Sequence, residues 1–307
     1  MTALAVPAPR TAGRRLRWSI GVLAAPITVW LLFFFVAPFL VILWYSFGRK
    51  PSLYVTHDNG VLSLDRYVEA LNPTFLAVFG RTLQISLIGT LLCLVIAFPM
   101  AYWMAVKLPA RLQGIALALV LVPYWTNFLV RTIGWQIVLS PTSFVADISR
   151  GLGLGTPQLL YTPGAVQLGV VYNYLPLMIL PLFVAFDRVR GPLNEASKDL
   201  GAGRARTFVR ISLPLARPGI IVGLLLVYIP LMGDYITATV LGGAQGNMVG
   251  QLVASQFQAA LNWALGSAMA VLLIIVIVAS AAGMGLIAWL VALPFSRRNR
   301  VQLEVAR

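Results

Sequence analysis

The chain has 307 residues, of which 59% are hydrophobic and only 10% charged, against about 25% charged in a soluble domain. With a mean hydropathy of +0.86, this composition excludes ordinary soluble domains and marks a membrane chain. The single cysteine, Cys93, and single histidine, His57, exclude a disulfide framework, a thiolate metal site and a histidine-based metal centre.

Residues 1–18 are rich in Pro and Ala, carry Arg10, Arg14, Arg15 and Arg17, and form a basic tail. Residues 19–47 follow without a charge. This run is longer than the roughly 7–15 apolar residues of a secretory signal, so it reads as an uncleaved first transmembrane helix, with Pro26 and Pro38 bending it or marking its ends. Residues 48–80 form a polar connector in which Asp65 to Leu71 suits a short amphipathic helix. A second apolar run extends from Arg81 to about Lys107, and a third from Arg111 to about Ser140. The segment 141–163 is rich in Gly and Pro. Its Gly151-Leu152-Gly153-Leu154-Gly155 run lacks a following Lys-Ser/Thr and reads as a turn rather than a phosphate loop. Further spans run from about Gly164 to Phe186, Pro218 to Leu241 and Leu265 to Pro294, before a basic tail at 295–307.

A bilayer core of about 30 Å takes about 20 apolar residues per helix, so the expected fold is all-α: a polytopic membrane bundle of six transmembrane helices. If the N-terminus is cytoplasmic, 17 Lys and Arg fall on the inside pieces and 4 on the outside (Arg49, Lys50, Arg66 and Arg150). Both termini and the segment 188–217 are therefore expected in the cytoplasm. The net charge of +14 is a topology signal, which removes nucleic acid as a partner. Among the lysines, Lys50, Lys107 and Lys198, none follows a glycine as a nucleotide-hydrolysing loop requires. The chain is expected to be no enzyme and to hold no cofactor or metal.

The stretch Glu195 to Pro214 is more elaborate than a connector needs. It suits two short helices broken at Gly201-Ala202-Gly203, the first opened by Pro192 or Asn194 and the second running from Thr207 to Ser212 and closed by Pro214. Its spacing, Glu195-Ala196-Ser197, Gly201, Ile211, Leu213-Pro214, resembles the cytoplasmic EAA loop of importer-type ABC permeases of the MetI-like class, with Ser197 in place of the second alanine. The resemblance implies that this loop seats in a groove of a separate ATPase, that Gly201 permits the break, and that Ala196, Leu200, Phe208 and Ile211 hold the loop to the bundle or fill the groove.

Asp234 and Arg131 are charges within apolar runs, each roughly 22 Å along its span at 1.5 Å per residue. Such charges face a partner or a wet cavity. Either the two pair with each other or snorkel outward, or Asp234 lines a path for a cationic solute with Arg131 as gate or scaffold. Asn127, Asn173 and Tyr235 are candidates for the same path, or bond between helices.

Pro123 to Thr132, Tyr172 to Met178 and Gly233-Asp234-Tyr235 followed by Leu241-Gly242-Gly243 are similar to the spermidine/putrescine-type permease branch, in its B-type subunit. Permeases for iron, thiamine or opine-like solutes share parts of these stretches. The resemblance implies a permease core over residues 81–294 of a multi-pass protein of the bacterial inner membrane. It further implies a second permease subunit, two ATP-binding cassette subunits, a periplasmic solute-binding protein and surrounding lipid. A secondary transporter would instead carry internal pseudo-symmetry and paired mid-membrane ionisable residues, which the sequence does not display.

Overall fold

The computed structural model describes residues 24–296, apart from 53, 154, 156–157, 189–196, 198 and 244–247. The basic tail 1–18, Leu154 of the glycine run, and Pro192, Asn194, Glu195 and Ala196 of the loop lie outside the described residues, as does the tail beyond Ser296. The first helix, α1, runs Ala24–Tyr45. It is apolar all round, with none of its most apolar window buried, and it packs on the last helix. Pro38 lacks an N–H, and its ring crowds the carbonyl one turn earlier. The helix absorbs this in a widened π turn, Leu32–Val36, which contains that carbonyl.

The connector is pinned to the rest of the molecule. Arg49 and Asp58 exchange backbone hydrogen bonds of 2.9 and 2.7 Å and form an ion pair of 3.2 Å. The Gly60 N–H, and after it the Arg49 guanidinium, hold the Asp58 carboxyl below the usual carboxylate range. His57 clusters with Tyr45 and Trp263, its ring 4.0 and 5.9 Å from theirs, which lie 6.1 Å from each other. Lys50 Nζ donates to the Ala260 carbonyl at 2.6 Å. The short helix α2, Asp65–Ala70, falls where the sequence predicts it.

Helix α3 comprises Pro73–Lys107, opened by Asn72, whose side chain accepts the Phe75 N–H at 3.0 Å. Its buried stripe, including Ser86, Gly89, Cys93, Ala97 and Ala101, repeats every three or four residues and is built of small side chains. Small residues let helices approach closely where lipid offers no hydrophobic drive. Two long helices fill that stripe: α7, Pro163–Asp187, and α8, Ala205–Met232. Between α3 and α7 come α4, Ala110–Leu121, continued by a 3-10 turn Val122–Trp125, then α5, Phe128–Val138, and α6, Phe144–Gly151. After α8 come a π turn, Ala238–Gly242, then α9, Val249–Gln258, and α10, Trp263–Ser296.

Helices α3, α7 and α8 form the centre, and α7 is the most enclosed of the long helices. Where α8 crosses α7, a Cβ on Gly219 would stand 2.4 Å from Ala185 Cβ and 2.6 Å from the Pro181 carbonyl oxygen, so only glycine fits. Among the described residues five helices are long and apolar enough to span a membrane, and the count is six where the bent pair Ala110–Trp125 and Phe128–Val138 forms one crossing.

Three spans differ from the sequence expectation. The helix of the second starts at Pro73, within the stretch read as connector, not at Arg81. The third apolar run is not one rod: Ala110–Trp125 and Phe128–Val138 meet at 87°. The N–H-less Pro123 sits in the 3-10 turn, and Asn127 restarts the helix by accepting the Leu129 N–H at 2.8 Å. Arg131 therefore lies past a bend, not along a continuous span. The helix that carries the fifth span starts at Ala205, ahead of Pro218, and ends at Met232, not Leu241. Asp234 sits in the non-helical break after it.

Candidate coupling loop and translocation site

The described part of the loop is a compact bracket. Gly201 has φ +73°, a left-handed conformation that reverses the chain. The Ala202 N–H donates to the Ser197 carbonyl at 3.0 Å across this reversal. Leu200, beside it, is 87% exposed and so does not hold the loop to the bundle. Phe208 does: its ring meets Phe98 at 6.0 Å and Tyr102 at 5.3 Å edge-on, and both of those rings meet Phe186 of α7. Ile211, Leu213 and Pro214 are half-buried. Pro214 does not close the second helix as expected. The π turn Phe208–Ser212 holds the carbonyl its ring would strike, and the helix runs on into α8. The loop's second arm and the fifth span are thus one continuous rod.

At the far end of α8 the chain leaves helical geometry at Gly233 and resumes at Ile236. Asp234 caps the restart, its Oδ1 accepting the Thr237 N–H at 3.0 Å. The carboxylate is 6% exposed, and Oδ2 has no hydrogen-bond partner. Thr237 and Leu241 seat against α7 at Gly169, one turn before Asn173. The Tyr174 hydroxyl is within electrostatic reach of the Asp234 carboxylate. Asn173 is fully buried and donates to Thr132 Oγ1 of α5 at 3.1 Å, leaving its own Oδ1 unpartnered. Arg131, one residue from Thr132, places its guanidinium 4.7 Å from the Tyr124 ring and 5.7 Å from that of Phe128. Phe128 in turn meets Tyr174 at 6.1 Å.

The structure therefore gathers Asp234, Asn173 and Arg131 around one stretch of α7, but does not join Arg131 to Asp234 as an ion pair. Asn127 is committed to capping α5 and is exposed. Tyr235 is 44% exposed beside Asp234. Sequence reasoning missed Tyr174, Thr237, Thr132 and Tyr124. The available signal was the Asp-x-x-Thr spacing of 234–237, which marks a helix start. Chemically, the region offers unpaired acceptors on Asp234, Asn173 and Thr237 and aromatic faces, a set suited to an ammonium-bearing solute.

Long apolar helices with a polar break at the end of one span define an α-helical membrane transport protein. The model of the binding-protein-dependent transport system inner membrane component family matches residues 97–293, and the chain belongs to that family. It is a permease subunit, a multi-pass protein of the inner membrane. It is similar to the spermidine/putrescine transport system permease protein PotB of Escherichia coli, 39% identical over 81% of this chain and 90% of that one. The PotB of Salmonella typhimurium is 38% identical over 83% and 89%, and that of Haemophilus influenzae 38% over 80% and 86%. Among solved structures, a chain of a bacterial ABC transporter involved in the import of the acidic polysaccharide alginate shares the fold. It has a TM-score of 0.64 and 18% identity, over 93% of this chain and 97% of that one. A second structure, of a bacterial alginate ABC transporter in complex with an alginate pentasaccharide-bound periplasmic protein, gives 0.67 at 16% identity, over 92% and 96%.

Proposed function

We propose that this permease forms half of the path by which an ATP-driven importer admits a polyamine. The observation that carries the substrate class is the Asp234 carboxylate, nearly buried with Oδ2 unpartnered. A buried carboxylate without a counter-charge is costly, and a passing ammonium group offsets that cost. The spermidine/putrescine permeases to which the chain is similar support the same reading. Asp234, Tyr235, Arg131, Asn127 and Asn173 belong to the path or its walls.

The loop Glu195, Ala196, Ser197, Gly201, Ile211, Leu213 and Pro214 docks on one of two separate ATPase subunits. A second permease completes the path, and a periplasmic binding protein delivers the solute. Residues 1–18, 188–217 and 295–307 face the cytoplasm; 48–80 face the periplasm; 81–294 are the transport core.

Proteoliposomes test this. The chain alone should take up no labelled spermidine. Adding the second permease, the ATPase, ATP and the loaded binding protein should give uptake that putrescine competes away and iron or thiamine does not. Gradient-driven flux through the chain alone would refute the reading.

A further inference from the structure

Ser197 stands where the permease pattern has its second alanine, and the structure gives its hydroxyl a task. Ser197 Oγ lies 2.7 Å from Thr207 Oγ1, with the residues 4% and 5% exposed. Thr207 Oγ1 already donates to the Gly203 carbonyl at 3.3 Å. Either hydroxyl can donate between them, and Ser197 does so whenever Thr207 bonds to the Gly203 carbonyl. This bond joins residues ten apart, across the left-handed reversal at Gly201, and closes the bracket opened by the Ala202–Ser197 backbone bond. The next residue after Thr207 is Phe208, the ring that rests on Phe98 and Tyr102 of α3.

We propose that Ser197 is a positioning residue for coupling: its bond to Thr207 fixes the angle between the two arms of the loop. A displacement imposed on the first arm then reaches Phe208 and α8 instead of being lost in flexing at Gly201. This rests on the coupling role proposed for the loop. A hydroxyl pair shielded from water holds its geometry better than an exposed one, and an alanine at 197 removes one of the two hydroxyls while keeping the size that the family pattern itself uses. Steric damage is thereby excluded as the cause of any change.

The test uses the complete transporter in proteoliposomes and reads spermidine molecules imported per ATP hydrolysed. Ser197→Ala should lower this ratio about fivefold, the scale of one lost buried hydrogen bond, with the KM for loaded binding protein unchanged and the ATPase still co-purifying. Thr207→Val should do the same, Thr207→Ser should keep the wild-type ratio, and the Ser197→Ala/Thr207→Val pair should be no worse than either alone. A wild-type ratio in Ser197→Ala, or additive losses in the pair, overturns the inference. Gly201→Pro separates the two readings. If it uncouples while Ser197→Ala does not, the clasp alone fails. If it too leaves the ratio unchanged, the coupling role of the loop fails with it.

Discussion

Asp234 and Arg131 are each held by something other than the other. Arg131 rests on the faces of Tyr124 and Phe128, an arrangement worth about 2 kcal/mol when desolvated. Asp234 spends one oxygen on the Thr237 N–H and keeps the second free. Neither charge therefore depends on the other for neutralisation, and their roles separate. Asp234→Asn keeps a capping oxygen but loses the charge, and should lower spermidine uptake about tenfold, the scale of one charge-assisted hydrogen bond. Arg131→Gln should not restore it. Kinetics of the two single variants and the double variant decide this, and recovery of wild-type uptake in the double variant would show that the charges compensate each other after all. In the sequence, both stood out because charge is rare in apolar runs. Their surroundings did not, because Tyr174, Thr132 and Thr237 reach the site from three separate segments and carry no signal of proximity.

At the scale of the helix, α7 and α8 approach through Gly219, where an added methyl would strike both the Ala185 Cβ and the rigid Pro181 carbonyl. Gly219→Ala should destabilise the bundle by about 1–3 kcal/mol, the usual cost of overpacking. Thermal unfolding of the detergent-solubilised chain should show the loss, and Ala185→Gly should recover only part of it, since the carbonyl stays. An unchanged melting temperature in Gly219→Ala would mean that the crossing is looser than described. Most of the crossings were legible because their apolar runs are long and carry few charges. The breaks were less so. Pro123 and Asn127 are visible stop and start signals, yet both halves of the 87° bend are apolar, and hydropathy does not register direction. Pro214 likewise announced a helix end, and only the three-dimensional structure shows a π turn making room for its ring. That difference matters, because it turns the end of the loop into the beginning of α8.

The molecule as a whole is a helical bundle with two polar irregularities at the ends of α8. One is the polar break at Gly233–Tyr235, the other the bracket around Gly201, and α8, Ala205–Met232, runs between them. In the proposed coupling, a push on the bracket is carried along a single rod to the break, and through Phe208 to the aromatic contacts with α3 and α7. The family pattern in the sequence marked the bracket as a loop of interest. It did not reveal that the bracket and the break share one helix, because Pro214 and Pro218 appear in sequence to divide them.

The most direct test exploits Leu200, which is 87% exposed at the tip of the bracket, and Cys93, which is fully buried and silent to reagents. Leu200→Cys gives a single reachable thiol. In the assembled transporter, a short cysteine-directed cross-linker should join it to the ATPase subunit in inside-out vesicles, with a yield that changes when ATP is added. Labelling of that thiol only from the periplasmic side, or no cross-link to the ATPase in an active complex, would contradict the account.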